Sequence, residues 1–248
     1  MPVFRRRIEL AARHAPEGGQ VRIVLEDDFH HFRVALSYRD GVICALNGAA
    51  PRHPFSVCPG ATAELVKLVG MPLARIANAV TQHTDASEQC THLLDLAGLA
   101  NAAAARGITY RRYELEVPRY VAGRSHARLV RDDGFELEWE INGSDIVAPV
   151  RYAKVNLRRG MARWALTTLP EEEAEAALVL RRGALIGYGR SLGLHQGPHT
   201  HLRGSCYAHQ PQRAEQAIRL PDSTWDFTER AEALCLNDGD WLKAFETV

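Results

Sequence analysis

Phe32-Arg33-Val34-Ala35-Leu36-Ser37-Tyr38-Arg39-Asp40-Gly41-Val42-Ile43-Cys44-Ala45-Leu46 is the stretch that decides the fold class. Over 32–38 apolar and polar side chains alternate, the two-residue period of a half-buried strand. Arg39-Asp40-Gly41 then supplies a turn, and 42–46 reads as the returning strand. Upstream, Val21-Arg22-Ile23-Val24-Leu25 carries the same alternation. Downstream the period changes. Leu65, Val66, Leu68 and Val69 fit a helix closed by Gly70, Pro72 opens a segment through Val80, and Ser87 is the expected N-cap of a helix that runs to about Arg106 and stops at Gly107.

After Ile108 the chain returns to short β-prone runs: 113–117, 127–130, 135–141 and 146–155, with turns at Asp133-Gly134 and Asn142-Gly143. One helix is strongly marked there. Pro170 suits its first turn, Glu171-Glu172-Glu173 the positive end of its dipole, Arg181-Arg182 the negative end, and Gly183 is the expected stop. Two short helices are expected at 212–220 and 225–235. The fold class is α+β: an N-terminal strand hairpin followed by helices, then a β-rich half with one strong helix. A boundary near 107–112 divides it into 1–107 and 108–248, although one continuous α+β domain fits the pattern nearly as well.

The 248 residues are 46% hydrophobic and 24% charged, the composition of an ordinary globular chain. Thirty Lys and Arg balance thirty Asp and Glu, so no global field exists to hold nucleic acid or an anionic membrane, and neither is an expected partner. Arg5-Arg6-Arg7 is a local exception, read as a solvated face. Leu96 to Ala105, the longest apolar stretch, is broken by Gly98 and Asn101 and is too short to cross a bilayer. With no signal-peptide order at the start, a cytoplasmic location is expected. Five scattered cysteines, an odd number, make a poor disulfide framework and are read as reduced thiols.

Three separated motifs carry metal donors. In Asp27-Asp28-Phe29-His30-His31-Phe32, His30 shares the strand parity of Phe32, Val34 and Leu36 and so points inward, whereas His31 is in step with Arg33 and Ser37. His53-Pro54-Phe55-Ser56-Val57-Cys58-Pro59-Gly60 puts Cys58 just ahead of a helix, where the positive end of the dipole favours a thiolate. Cys90-Thr91-His92-Leu93-Leu94-Asp95 sets two transition-metal donors at a helix start, and Asp95, one turn on from His92, could orient its imidazole. Positions i and i+2 of a regular helix point apart, so Cys90 and His92 share an ion only if Cys90 lies in the cap. His195, His199, His201 and Cys206 form H-x3-H-x-H-x4-C, outside the common zinc spacings and read as a polar surface loop. Cys44, Cys206 and Cys235 are not expected to hold the metal.

Taken together, DDFHHF (27–32), CPGA (58–61), CTHLLDLAGLA (90–100), GSCYAHQPQRA (204–214) and STWDF (223–227) resemble a bacterial family known as a domain of unknown function, DUF2889-like, with CTHLLDL as its signature. The resemblance implies bacterial origin and a shared fold, but no reaction. Residues 30–106 also resemble the iron–sulfur scaffold proteins of the IscU/NifU kind in element order: hairpin, cysteine loop, helix, then a Cys/His pair opening a long helix. That likeness implies ligand stations at His30, Cys58, Cys90 and His92. A histidine stands where a cysteine is expected, and the terminal pair is C-x-H instead of adjacent.

The expected metal ligands are therefore His30, Cys58, Cys90 and His92, holding zinc or iron. The expected function is that of a metal-dependent enzyme of lyase or hydrolase type on a small organic substrate, with His31, Asp27, Asp28 and Asp95 all open as acid or base. An iron–sulfur scaffold or carrier that holds a cluster is the competing reading, and a metal-free binding module the third. Substrate, metal and oligomeric state are left open by the sequence.

Overall fold

The computed structural model describes residues 1–193 and 206–245. Among these residues, eight antiparallel strands and five α-helices follow one another as β1 (Val3–Ala15), β2 (Gly18–Asp27), β3 (His31–Arg39), β4 (Val42–Arg52), α1 (Thr91–Arg106), β5 (Tyr110–Pro118), β6 (Arg124–Arg131), β7 (Glu136–Asn142), β8 (Asp145–Ala148), α2 (Met161–Thr168), α3 (Glu171–Ser191), α4 (Pro211–Ala214) and α5 (Gly239–Lys243). The class is α+β. No helix among the described residues is long and apolar enough to cross a membrane.

The chain forms two compact units, neither continuous in sequence. The larger comprises Ile8–Arg111 with residues 206–225 and 235–245, and its strands run in the order β4-β3-β2-β1. β2 and β3 form a long hairpin in register from Gly18 opposite Arg39 to Glu26 opposite His31. The register of β3 with β4 slips between His31 and Arg33, where Ala50 and Pro51 both oppose Phe32. Pro51 has no N–H to give a ladder, and a bulge accommodates it. Phe32, Val34 and Leu36 are buried on one face of β3, and α1 packs against β2 and β3.

Several expectations change here. β1 was not foreseen, because its inward positions read Phe4, Arg6, Ile8 and Leu10, and the arginine interrupts the apolar set. Arg6 is 1% exposed with its guanidinium 5.5 Å from the Phe4 ring centroid, so it is no solvated basic face. Between β4 and α1 the helical periodicity resolves into 3-10 turns, Cys58–Leu68, Ala77–Gln82 and Ala86–Glu88. Leu65 and Leu68 are buried, whereas Val66 and Val69 face outward. Ser87 does not cap α1. Asp85 takes the Ser87 N–H at 2.9 Å and closes its own short turn, so the cap passes to Cys90 (φ −71°, ψ 122°). Gly107, at φ 69°, ends α1 as expected.

The smaller unit comprises Met1–Arg7, residues 112–193 and Asp226–Leu234, with strand order β1-β5-β6-β7-β8. The run expected over 146–155 ends as a strand at Ala148, where Pro149 follows. α3 continues eight residues past Gly183. An added Cβ there would meet Leu115 Cδ2 at 2.6 Å, and at Gly187 it would meet Val117 Cγ1 at 2.9 Å, so these glycines allow close packing on β5 and mark no helix end. The helices expected at 212–220 and 225–235 shrink to α4 and a single 3-10 turn at Ala231–Ala233.

Candidate metal centre at the turn between β2 and β3

β2 ends on two adjacent carboxylates, Glu26 and Asp27, and β3 starts on His31. Asp27 folds the chain back on itself. Its N–H donates to His30 O at 2.8 Å, while its Oδ1 accepts the N–H groups of Phe29 and His30, both at 2.8 Å. This is the local turn chemistry of an Asx residue, and it sets His30 beside its own carboxylate. His30 Nδ1 lies 3.0 Å from Asp27 Oδ1 and 3.3 Å from Oδ2.

The third member comes from α1. Because Cys90 occupies the cap, His92 falls in the first turn, directed at the hairpin against which α1 packs. Its ring centroid is 4.0 Å from that of His30, with the planes 33° apart, and Phe32 lies 5.4 Å from His30 and 6.0 Å from His92. Asp27, His30 and His92 are all buried, and one donor atom from each lies within 4.8 Å of the others. Two bonds of about 2.1 Å meeting at 90–110° separate their donors by about 3.0–3.4 Å. The Asp27 oxygens and His30 Nδ1 have that separation, so the slot that a proton fills can also take an ion.

A second donor set lies on the other side of the hairpin. Glu26, His31 and Asp238 also fall within 4.8 Å of one another. His31 Nε2 is 3.0 Å from Asp238 Oδ2, Arg33 Nε donates to Asp238 Oδ1 at 2.6 Å, Arg52 Nη2 donates to Glu26 Oε1 at 3.1 Å, and the Cys235 N–H donates to Glu26 Oε2 at 2.7 Å. Two guanidinium groups already neutralise the two carboxylates here. The set reads as an ion-pair network fastening residues 235–238 to the sheet, which is a structural use of the same residue types.

The residues named from sequence thus separate. His30 and His92 come together, joined by Asp27. Cys58 and Cys90, both buried, belong to no set of three donors within 4.8 Å among the described residues. Cys206 is an electrostatic neighbour of both, Cys58 also acts on Cys90, and Arg219 acts on Cys58. Against the thiolate that its place ahead of a helix was expected to favour, burial and then Cys206 push the Cys58 thiol up to about 12. His31 is assigned to the ion-pair network. Asp28 is fully buried, and its carbonyl accepts the Trp225 N–H at 2.7 Å and Arg52 Nη1 at 3.1 Å. Asp95 is half-buried, one turn on from His92. His195, His199 and His201 lie outside the described residues. Arg52, Glu26 and Asp238 were missed altogether. Asp238 had no local signal, since its partners are more than 200 residues away in sequence.

A comparison with family models is informative at this point. Residues 10–106 match DUF2889, described as a protein of unknown function. The DUF2889 segment holds Asp27, His30, Cys58, Cys90 and His92, whereas Cys206 and Asp238 lie beyond it. No curated protein matches the chain. The likeness of residues 30–106 to IscU/NifU scaffolds gains no support from these comparisons.

Proposed function

We propose that this is a cytoplasmic, metal-dependent enzyme that acts on a small organic substrate by lyase- or hydrolase-type chemistry, with Asp27, His30 and His92 as the protein donors. The observation that supports it is the pair of buried imidazoles, ring centroids 4.0 Å apart, sharing a site with a fully buried carboxylate. Burying a carboxylate against two histidines is costly unless a cation or proton sits among them. Two nitrogens and one oxygen suit zinc or iron better than magnesium or calcium. Three protein donors leave a coordination position open, as a catalytic site needs and a closed structural site does not. When bound, such an ion polarises a carbonyl or activates water. The chain's own part is to hold both rings with the Asp27 turn and the first turn of α1, and to exclude bulk water with Phe29 and Phe32.

Metal analysis of protein purified without chelator tests this. About one zinc or iron per chain is expected in the wild type, with loss in His30→Ala and in His92→Ala. Metal retained in both variants, or never acquired on anaerobic supplementation, would end the proposal. Anaerobic reconstitution with iron and sulfide separates the enzyme from the competing iron–sulfur scaffold. A stable cluster with sulfide near-equal to iron favours the scaffold.

A further inference from the structure

The three cysteines that begin three separate elements lie in one neighbourhood. Cys58 is the first residue of the 3-10 run Cys58–Leu68, Cys90 caps α1, and Cys206 caps the turn Tyr207–His209. The 3-10 run packs against both α1 and that turn. The contact with the turn is close: a Cβ at Gly60 would stand 2.9 Å from the Tyr207 hydroxyl. Cys58 shares a core cluster with Phe55, Ala208 and Ala217, and Cys206 packs against the same cluster. Arg219 lies over Phe55, its guanidinium 4.6 Å from the ring centroid, and is a cation beside Cys58. His209 meets Phe55 edge-on at 5.7 Å, three residues after Cys206, and its pKa is lowered by burial and by Arg219.

We propose that Cys58, Cys90 and Cys206 form a thiol-based site for a soft metal ion such as zinc, separate from Asp27, His30 and His92. Phe55 and Cys58 follow β4 and Cys90 immediately precedes α1, and the third cysteine arrives from a segment more than a hundred residues later. The three sulfurs do not all lie within 4.8 Å of one another, and burial pushes the Cys58 and Cys90 thiols up. Sulfurs bound to one zinc at about 2.3 Å lie about 3.8 Å apart, so binding draws them together by side-chain rotation and releases their protons. Arg219 compensates the net negative charge that three thiolates leave on a divalent ion. His209, whose imidazole meets Phe55 of that cluster, is a candidate fourth donor, which would complete a Cys3His set.

Cadmium titration of reduced, chelator-treated protein tests the proposal, read by the ultraviolet charge-transfer band of cadmium–thiolate bonds. The wild type should develop the band with about one ion per chain. Cys206→Ser is the decisive variant, because the residue is half-buried and serine there costs folding little. It should lose most of the band and bind more than about tenfold more weakly, as should Cys58→Ser and Cys90→Ser where near-ultraviolet circular dichroism shows them folded. Cys44→Ser and the His30→Ala/His92→Ala double variant should keep the band, so failure here is distinguishable from failure of the imidazole site. A band of full size in Cys206→Ser, or none in wild type with all five thiols titrating as reduced, would overturn the assignment.

Discussion

Asp27 holds more structure than its size implies. One oxygen receives two backbone N–H groups and faces His30 Nδ1, so the turn, the ring orientation and the start of β3 depend on a single carboxylate. Asp27→Ala strands buried donors, each costing about 1–3 kcal/mol, and should destabilise the protein by about 2–4 kcal/mol in urea melts. Asp27→Asn keeps Oδ1 as an acceptor and should cost roughly half as much. Equal losses in the two would show that charge, not hydrogen bonding, matters. The D-x-x-H spacing was visible in the sequence, but its Asx-turn meaning was not drawn from it. Thiols carried the opposite error: Cys58 looked activated by its place ahead of a helix, yet the segment packs it among Phe55, Ala208 and Ala217. In native protein at pH 7.5, Cys44, which is exposed, should therefore be alkylated by iodoacetamide well before Cys58 and Cys90, with mass mapping of the modified peptides as the check. Early labelling of Cys58 would contradict its burial.

Among the elements, the β3–β4 hairpin was legible because 32–38 alternates apolar and polar side chains and Asp40-Gly41 supplies a turn where a turn is needed. β1 was not, since Arg6 occupies an inward position that only tertiary surroundings can satisfy. The helices between 58 and 88 were misread for a similar reason. The spacing of Leu65 and Leu68 serves a 3-10 turn as well as an α-helix, and sequence cannot separate three residues per turn from 3.6 over so short a run. α1 carries both Cys90 and His92, and its placement depends on Gly98, where a Cβ would stand 2.3 Å from the Ala77 carbonyl oxygen. Gly→Ala in a helix interior normally stabilises by about 1 kcal/mol. Gly98→Ala should instead destabilise by about 2 kcal/mol, because the obstacle is backbone that cannot rotate away. Gly98→Ala should also weaken any metal bound at His92, read by metal content against a folded control; a gain in stability would mean that α1 has room the structure does not give it.

Across the chain as a whole, the hairpin end at 26–33 is fastened to residues 235–241. Asp238 is fully buried and meets both Arg33 and His31, Glu26 receives the Cys235 N–H, and Trp241 lies against Arg22 and Arg33, 5.2 and 5.3 Å from their guanidinium carbons. None of these pairings was legible, because each partner is polar and unremarkable within its own segment. They place Glu26 and His31 in a structural network while Asp27 and His30 turn to the opposite side, dividing these four residues of one hairpin end between two tasks. Removing one partner of a buried pair is more damaging than removing both, since it leaves an uncompensated charge. Asp238→Ala should therefore cost about 2–3 kcal/mol, less than a wholly buried pair would, because the Arg33 side chain is 24% exposed. The loss should be local before it is global. Lys243 sits exposed in α5, so trypsin cleavage after Lys243 should accelerate in Asp238→Ala while metal content at His30 and His92 is unchanged. If Asp238→Ala leaves cleavage at Lys243 as slow as in wild type, these ion pairs do not hold the segment; if metal is lost with it, Glu26, His31 and Asp238 are part of the metal centre.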